Sequence, residues 1–226
     1  MMNQPDARTR FLRLHQELRS RICLLDYPPG TRLSEETLAS EFGTSRTPLR
    51  RVLARLEDEG LVQSQHGVGT LVTDIDPGEM ARTYDLRREL AGLVGRLSPV
   101  PITDSMIQQA SHFLARGQAL LLQPETRKLA MLNMEYFHFG TSFTLNEALR
   151  DASERLYYRT ARIWLMATPH LDLTEETAIF VSELRDSLAA LMARDGQAAA
   201  DVRRAHISLC IARLNTVSKT VARSTR

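Results

Sequence analysis

Apolar residues recur at intervals of three and four near the start of the chain, where Phe11, Leu14, Leu18, Ile22 and Leu25 predict a helix over about residues 8–25, packed on one side. Tyr27-Pro28-Pro29-Gly30 forces a turn, and Thr31-Arg32-Leu33 follows as a short strand. Ser34 can cap a second helix with Glu35 and Glu36 in its first turn, where carboxylates suit the exposed amides, and Gly43 closes it. A third helix begins at Thr44 or Ser45, takes Pro48 in its first turn and stops at Gly60. On its wheel Leu49, Val52, Leu53 and Leu56 share an arc of about 100°, the width of a core-facing stripe. Residues 61–72 read as two short strands around His66-Gly67-Val68-Gly69, a hairpin with glycines at its tip.

A polar breaker stretch over 73–78 ends this pattern, and beyond it no strand pattern recurs. Six helical segments are predicted instead, over 79–97, 103–122, 124–144, 147–168, 174–193 and 196–221, punctuated by Pro99, Pro101, Pro124, Pro169 and Asp195-Gly196. The expected fold is mainly α. A winged helix-turn-helix of three helices plus a small β-hairpin wing occupies 1–75, and an all-helical bundle of about six helices occupies 76–226.

Charge changes the picture locally. Residues 1–75 balance ten basic against ten acidic side chains, so net charge does not argue for nucleic acid. The third helix does. Arg46 and Arg50 lie on one flank of its apolar stripe, Arg51 and Arg55 on the other, with no acid between Gly43 and Glu57. Four arginines without a carboxylate partner point to a polyanion facing them. A helix-turn-helix followed by such a wing is a DNA-docking arrangement, the second helix of the motif entering the major groove and the wing reaching backbone or minor groove.

PPGTRL, SEETLASEFGTSRTPLRRVLARLEDEGLV and the QHGVGTLV wing resemble the winged helix of the GntR family of bacterial transcription regulators, over about residues 10–73. The resemblance implies that Arg46 and Arg50 are groove arginines, Thr47 a phosphate or base contact, and His66 with Gly67 the wing-tip contacts. Ser45 and Arg51 complete the expected DNA-binding set. Arginine suits the role because its fork bonds two acceptors on guanine. One departure is Glu36, since some members carry a basic residue there.

In the second part, Tyr84 to Leu90, Phe137-His138 with Asn146, and 193–206 resemble the FCD domain found behind GntR winged helices. Many such domains bind a divalent metal through an Asp and a His four apart plus two further histidines, a donor set suited to zinc or a similar ion. His138 and His206 occupy two of those four positions, whereas Met134 and Leu184 occupy the others. Two imidazoles make a poor closed site, so hydrogen bonding of both within a pocket stays open as the alternative. Glu135 and Glu183 are the nearest substitute donors. Arg155, Arg159 and Arg162 share a helix face beside Trp164, and the resemblance turns Arg87 toward the pocket. The expected effector contacts are Arg87, His138, Arg155, Arg159 and His206, with arginine holding a carboxylate or phosphate directly.

These readings imply a homodimeric, cytoplasmic repressor of double-stranded operator DNA, controlled by a small organic acid. The alternative is a helical-bundle metalloprotein, a metal sensor or enzyme, with an appended DNA-binding module. Glu135-x-x-His138 matches half of a di-iron carboxylate site, but Arg203 stands where the second glutamate is needed. No GxSxG, HExxH or P-loop signature is present, so no enzyme is expected. Cys23 and Cys210 lack metal spacing and read as reduced thiols. No run approaches the roughly 18 apolar residues of a membrane span. At 226 residues and 43% hydrophobic content the chain can bury a real core.

Overall fold

The structure, a computed structural model, describes residues 6–224, with side chains as far as Val217. It divides into two compact units, Met1–Asp76 and Pro77–Arg226.

The first unit runs α1 (Ala7–Cys23), β1 (Arg32–Leu33), α2 (Glu35–Glu41), α3 (Arg46–Asp58), β2 (Val62–Gln65) and β3 (Gly69–Val72). The predicted cap forms, with the Ser34 hydroxyl accepting from the Thr37 amide at 3.4 Å. Gly43, at φ +58°, takes the left-handed conformation that the sharp turn into α3 requires. All four stripe residues of α3 are buried, against Leu14, Leu18 and Ile22 of α1 and Leu38 of α2. Burying each such aliphatic side chain is worth about 1.5–3 kcal/mol before chain entropy is charged. The strands form one sheet in the order β1-β3-β2, all antiparallel, with Arg32 opposite Leu71 and Val62 opposite Val72. The central β3 is therefore held on both edges.

The second unit contains α4 (Pro77–Leu93), α5 (Asp104–Leu122), α6 (Thr126–Thr141), α7 (Glu147–Ala167), α8 (Leu173–Met192) and α9 (Gly196–Ser224), with a 3₁₀ turn over Thr168–His170. Side-chain caps start three of them: Thr103 on the Met106 amide, Asn146 on Leu149, and Asp172 on Thr174 and Glu175. Two helices stop short of their predicted ends. After α4 the chain turns at Ser98, and after α6 it turns at Thr144, so that Val100 and Leu145 donate to Phe143 and Ser98 across a single bridge between Pro99 and Thr144. Periodicity missed this bridge because isolated pairings carry no alternating pattern. The core joins Leu129, Leu132, Tyr136 and Phe139 of α6 to Phe180, Leu184 and Leu191 of α8, with Ala199 and Ala200 of α9. Among the described residues no helix is long and apolar enough to cross a membrane. Neither Cys23 nor Cys210 is in a disulfide.

Candidate functional site

The first candidate surface lies on α3 and the wing. Ser45, Arg46, Thr47 and Arg50 are all exposed, while Leu49 beneath them is buried. The apolar stripe thus fixes the helix and leaves this flank to solvent. Contrary to the sequence expectation, the arginines do have carboxylate partners. Arg46 Nη2 lies 3.0 Å from Glu36 Oε2. Arg50 grips Glu35 with two bonds, Nε to Oε1 at 3.0 Å and Nη2 to Oε2 at 2.9 Å. The acids come from the first turn of α2, outside the acid-free run, and only the packing of α2 on α3 brings them there. This pairing holds the Glu35 carboxyl below its usual range and raises Arg50. On the opposite flank Arg51 lies over the Phe11 ring of α1 at 5.6 Å, and Arg55 pairs with Glu59 at 3.1 Å. Arg51 therefore does not share the face of Arg46 and Arg50. His66 and Gly67 are exposed at the hairpin tip, where Gly67 adopts φ +76°.

The second candidate lies inside the helical unit, where two cavities share Arg87, Arg203 and Ile207 as a common wall. One is lined mainly by apolar side chains, among them Ala91, Val94, Phe137 and Phe143. The other, about 100 Å³, is the more polar of the two and includes Glu176, Glu183, His206 and Arg213. Most of its charges are already neutralised. Arg203 donates to Glu183 at 2.6 Å and to Asn133 at 3.1 Å. Burial alone would pull the Arg203 guanidinium down, but Glu183 more than offsets it. Arg213 bonds Glu176 at 2.6 and 3.2 Å, and the Trp164 indole donates to the same carboxylate at 2.8 Å.

Arg87 differs. It is 8% exposed, donates to the Thr160 hydroxyl at 2.6 Å, and sits 5.0 Å from the rings of both Tyr84 and Tyr157. Its partners are a hydroxyl and two phenol rings, with no carboxylate among the described residues. Burial lowers its affinity for the proton. A cation desolvated in this way favours an anion brought from outside.

Of the predicted effector contacts, Arg87 and His206 line the more polar cavity. The other three do not line either cavity. His138 is exposed, with Nε2 2.7 Å from the Tyr158 hydroxyl, Arg155 is exposed, and Arg159 pairs with Glu79. The face shared by Arg155, Arg159 and Arg162 is real, but only Arg162 is buried.

The same geometry bears on the two histidines at the family's metal positions. His206 Nδ1 lies 3.9 Å from Glu183, whose carboxylate is engaged by Arg203, while His138 is directed to Tyr158. Glu135 pairs with Arg116, and Leu184 is packed in the core. Among the described residues no group of three or more His, Cys, Asp or Glu side chains could hold a metal ion. The residues present do not fit a divalent ion. Sequence reasoning named Glu183 only as a substitute metal donor and Arg203 only as the break in a di-iron motif, and it did not name Arg213 or Glu176. A signal existed: Arg203, His206, Cys210 and Arg213 recur at three and four on α9, and the two glutamates lie two turns apart on α8.

A three-helix unit whose last strands form a hairpin wing, followed by a separate helical unit, defines the class of winged helix-turn-helix regulators. The model of bacterial regulatory proteins of the gntR family matches residues 12–72. An HTH-type transcriptional regulator from an unstable DNA locus of Streptomyces ambofaciens is 29% identical over 219 residues, covering 91% of this chain and 85% of that one. The Nta operon transcriptional regulator of Aminobacter aminovorans is 31% identical over 161 residues, covering 66% of this chain and 74% of its own length. Among solved structures, E. coli McbR/YncC superposes with a TM-score of 0.79 at 18% identity, covering 94% of this chain and 99% of that one, a likeness of fold. The chain belongs to the GntR family. It is a DNA-binding transcription regulator, and its relatives are regulators rather than enzymes.

Proposed function

We propose that this regulator is a cytoplasmic repressor that binds a palindromic operator as a homodimer and releases it when a small organic acid enters the helical unit. The helical unit is read as an FCD-type effector-binding and dimerisation domain. Arg46 and Arg50 enter the major groove, Ser45 and Thr47 meet the adjoining backbone or bases, and His66 with Gly67 contacts DNA from the wing tip. Arg51, turned to Phe11, keeps at most a phosphate contact. An effector acts by preferring one arrangement of the paired helical domains, and it shifts DNA occupancy only by its differential affinity for the two arrangements.

The observation that carries the effector half is Arg87, buried at the wall between the cavities with no carboxylate partner among the described residues. A carboxylate of the effector fills that place, with no metal as intermediary. The test is release of operator DNA by a panel of carboxylic acids in the presence of a chelator, for the wild type and for Arg87→Gln. The expected result is release by at least one acid, weakened about tenfold or more in Arg87→Gln while DNA affinity without effector is kept. Release that needs added metal, or that is equal in both proteins, overturns the reading.

A further inference from the structure

The Arg50–Glu35 pair uses one edge of the guanidinium and leaves another open. Glu35 accepts from Nε and Nη2, the side-on edge. Arginine has five N–H donors, so both Nη1 hydrogens and the second on Nη2 remain, and these form an end-on fork. The two side chains are unequal in exposure. Arg50 is 73% exposed and Glu35 30%, so the acid backs the pair from the protein side and the unused fork faces solvent. Glu35 is itself fixed. It is the first residue of α2, directly after the Ser34 cap, on a helix anchored by buried Leu38. The neighbouring Glu36–Arg46 pair meets at 3.0 Å between side chains 78% and 59% exposed. An exposed ion pair adds little to stability, so the effect of the double bond to Glu35 falls on where the Arg50 fork points.

Resting on the reading that Arg50 meets DNA, we propose that Glu35 is a specificity-determining positioning residue. It holds Arg50 side-on so that the end-on fork is presented to the two acceptors of a guanine edge. A guanidinium free to rotate bonds phosphates and bases alike, whereas one held on its side-on edge bonds well only where two acceptors lie in its plane. Glu35 also places a negative charge beside the duplex and so weakens sequence-independent attraction. Both effects raise discrimination.

The experiment uses the full-length protein. Operators are selected from a pool of random duplexes, and affinity is then measured for the selected site, for the site with each guanine replaced by adenine, and for random duplex. The proteins are the wild type, Glu35→Gln, Arg50→Ala and the double variant. The expected result is that Arg50→Ala abolishes discrimination at one guanine per half-site. Glu35→Gln is expected to reduce it at that same guanine about tenfold, raise binding to random duplex, and change nothing in the Arg50→Ala background. If Arg50→Ala loses discrimination but Glu35→Gln only strengthens all duplexes equally, the positioning role is overturned and the DNA reading stands. If Arg50→Ala keeps full discrimination, or no site is selected, both are overturned.

Discussion

The arginines of α3 and those around the helical unit's cavities carry the same charge under opposite conditions. Arg46 and Arg50 pair with Glu36 and Glu35 at the surface, where water screens each contact and a phosphate or base edge can compete for the guanidinium. Arg203 and Arg213, themselves half-buried, pair with the buried Glu183 and Glu176, where each acid depends on its partner to offset desolvation. Arg87 belongs to neither set, being buried with no acid partner among the described residues. The difference separates roles: exposed pairs are exchangeable, the pairs of Glu183 and Glu176 build the cavity, and Arg87 lines both cavities with a hydroxyl and two phenol rings for partners.

Breaking a buried pair is the largest expected effect. Glu183→Gln leaves the half-buried Arg203 charge with only a neutral partner and should destabilise the helical unit by about 3–5 kcal/mol. Urea unfolding followed by Trp164, the one tryptophan of the chain, reads this unit. Replacing both Glu183 and Arg203 by leucine should recover most of the loss. A cost for Glu183→Gln no greater than that of an exposed pair would erase the distinction drawn above.

An intermediate effect is expected at Glu59, where the N-terminal unit has a buried pair of its own. His15 Nε2 lies 3.0 Å from Glu59 Oε1, and both side chains are 9% exposed. Burial pushes this carboxyl up, but His15, Arg19 and Arg55 together hold it below the usual carboxylate range. A depressed folded value means that the unfolded chain binds the proton more readily. The resulting stability is present above the ordinary carboxylate pKa and is lost as pH falls through the lower folded value. Glu59→Gln should cost about 1–3 kcal/mol at neutral pH and flatten the acid side of the stability profile. An unchanged profile would place Glu59 with the exchangeable pairs.

The smallest stability effect belongs to Arg46→Ala and Arg50→Ala. Neither should move the denaturation midpoint, while each should weaken operator binding about tenfold or more. A clear drop in midpoint would mean that these arginines hold the fold.

The helical framework was legible because helices announce themselves locally. The stripe from Leu49 to Leu56 and the cap at Ser34 each act within a few residues, and the structure places both as expected. What failed was long-range pairing. The acids that meet Arg46 and Arg50 lie about ten and fifteen residues away, and a window centred on α3 does not contain them. His138 matched a family position, yet which way it faces depends on the rotation of α6 against α7, and in this chain it meets Tyr158. Arg203 and Arg213 were readable from their three-and-four spacing with His206, but an arginine on a long helix predicts a solvated face until the opposing glutamates are known.

The sheet order has a mechanical consequence. Because β3 is the middle strand, it cannot leave the sheet unless the Arg32–Leu71 and Gln63–Leu71 registers both unzip. Residues 66–68 are left as an overhang on a stiff footing, like a cantilever clamped along its length. Lengthening that overhang would extend its reach without loosening the clamp, so reach and rigidity of the wing are set by different residues and can be tuned apart.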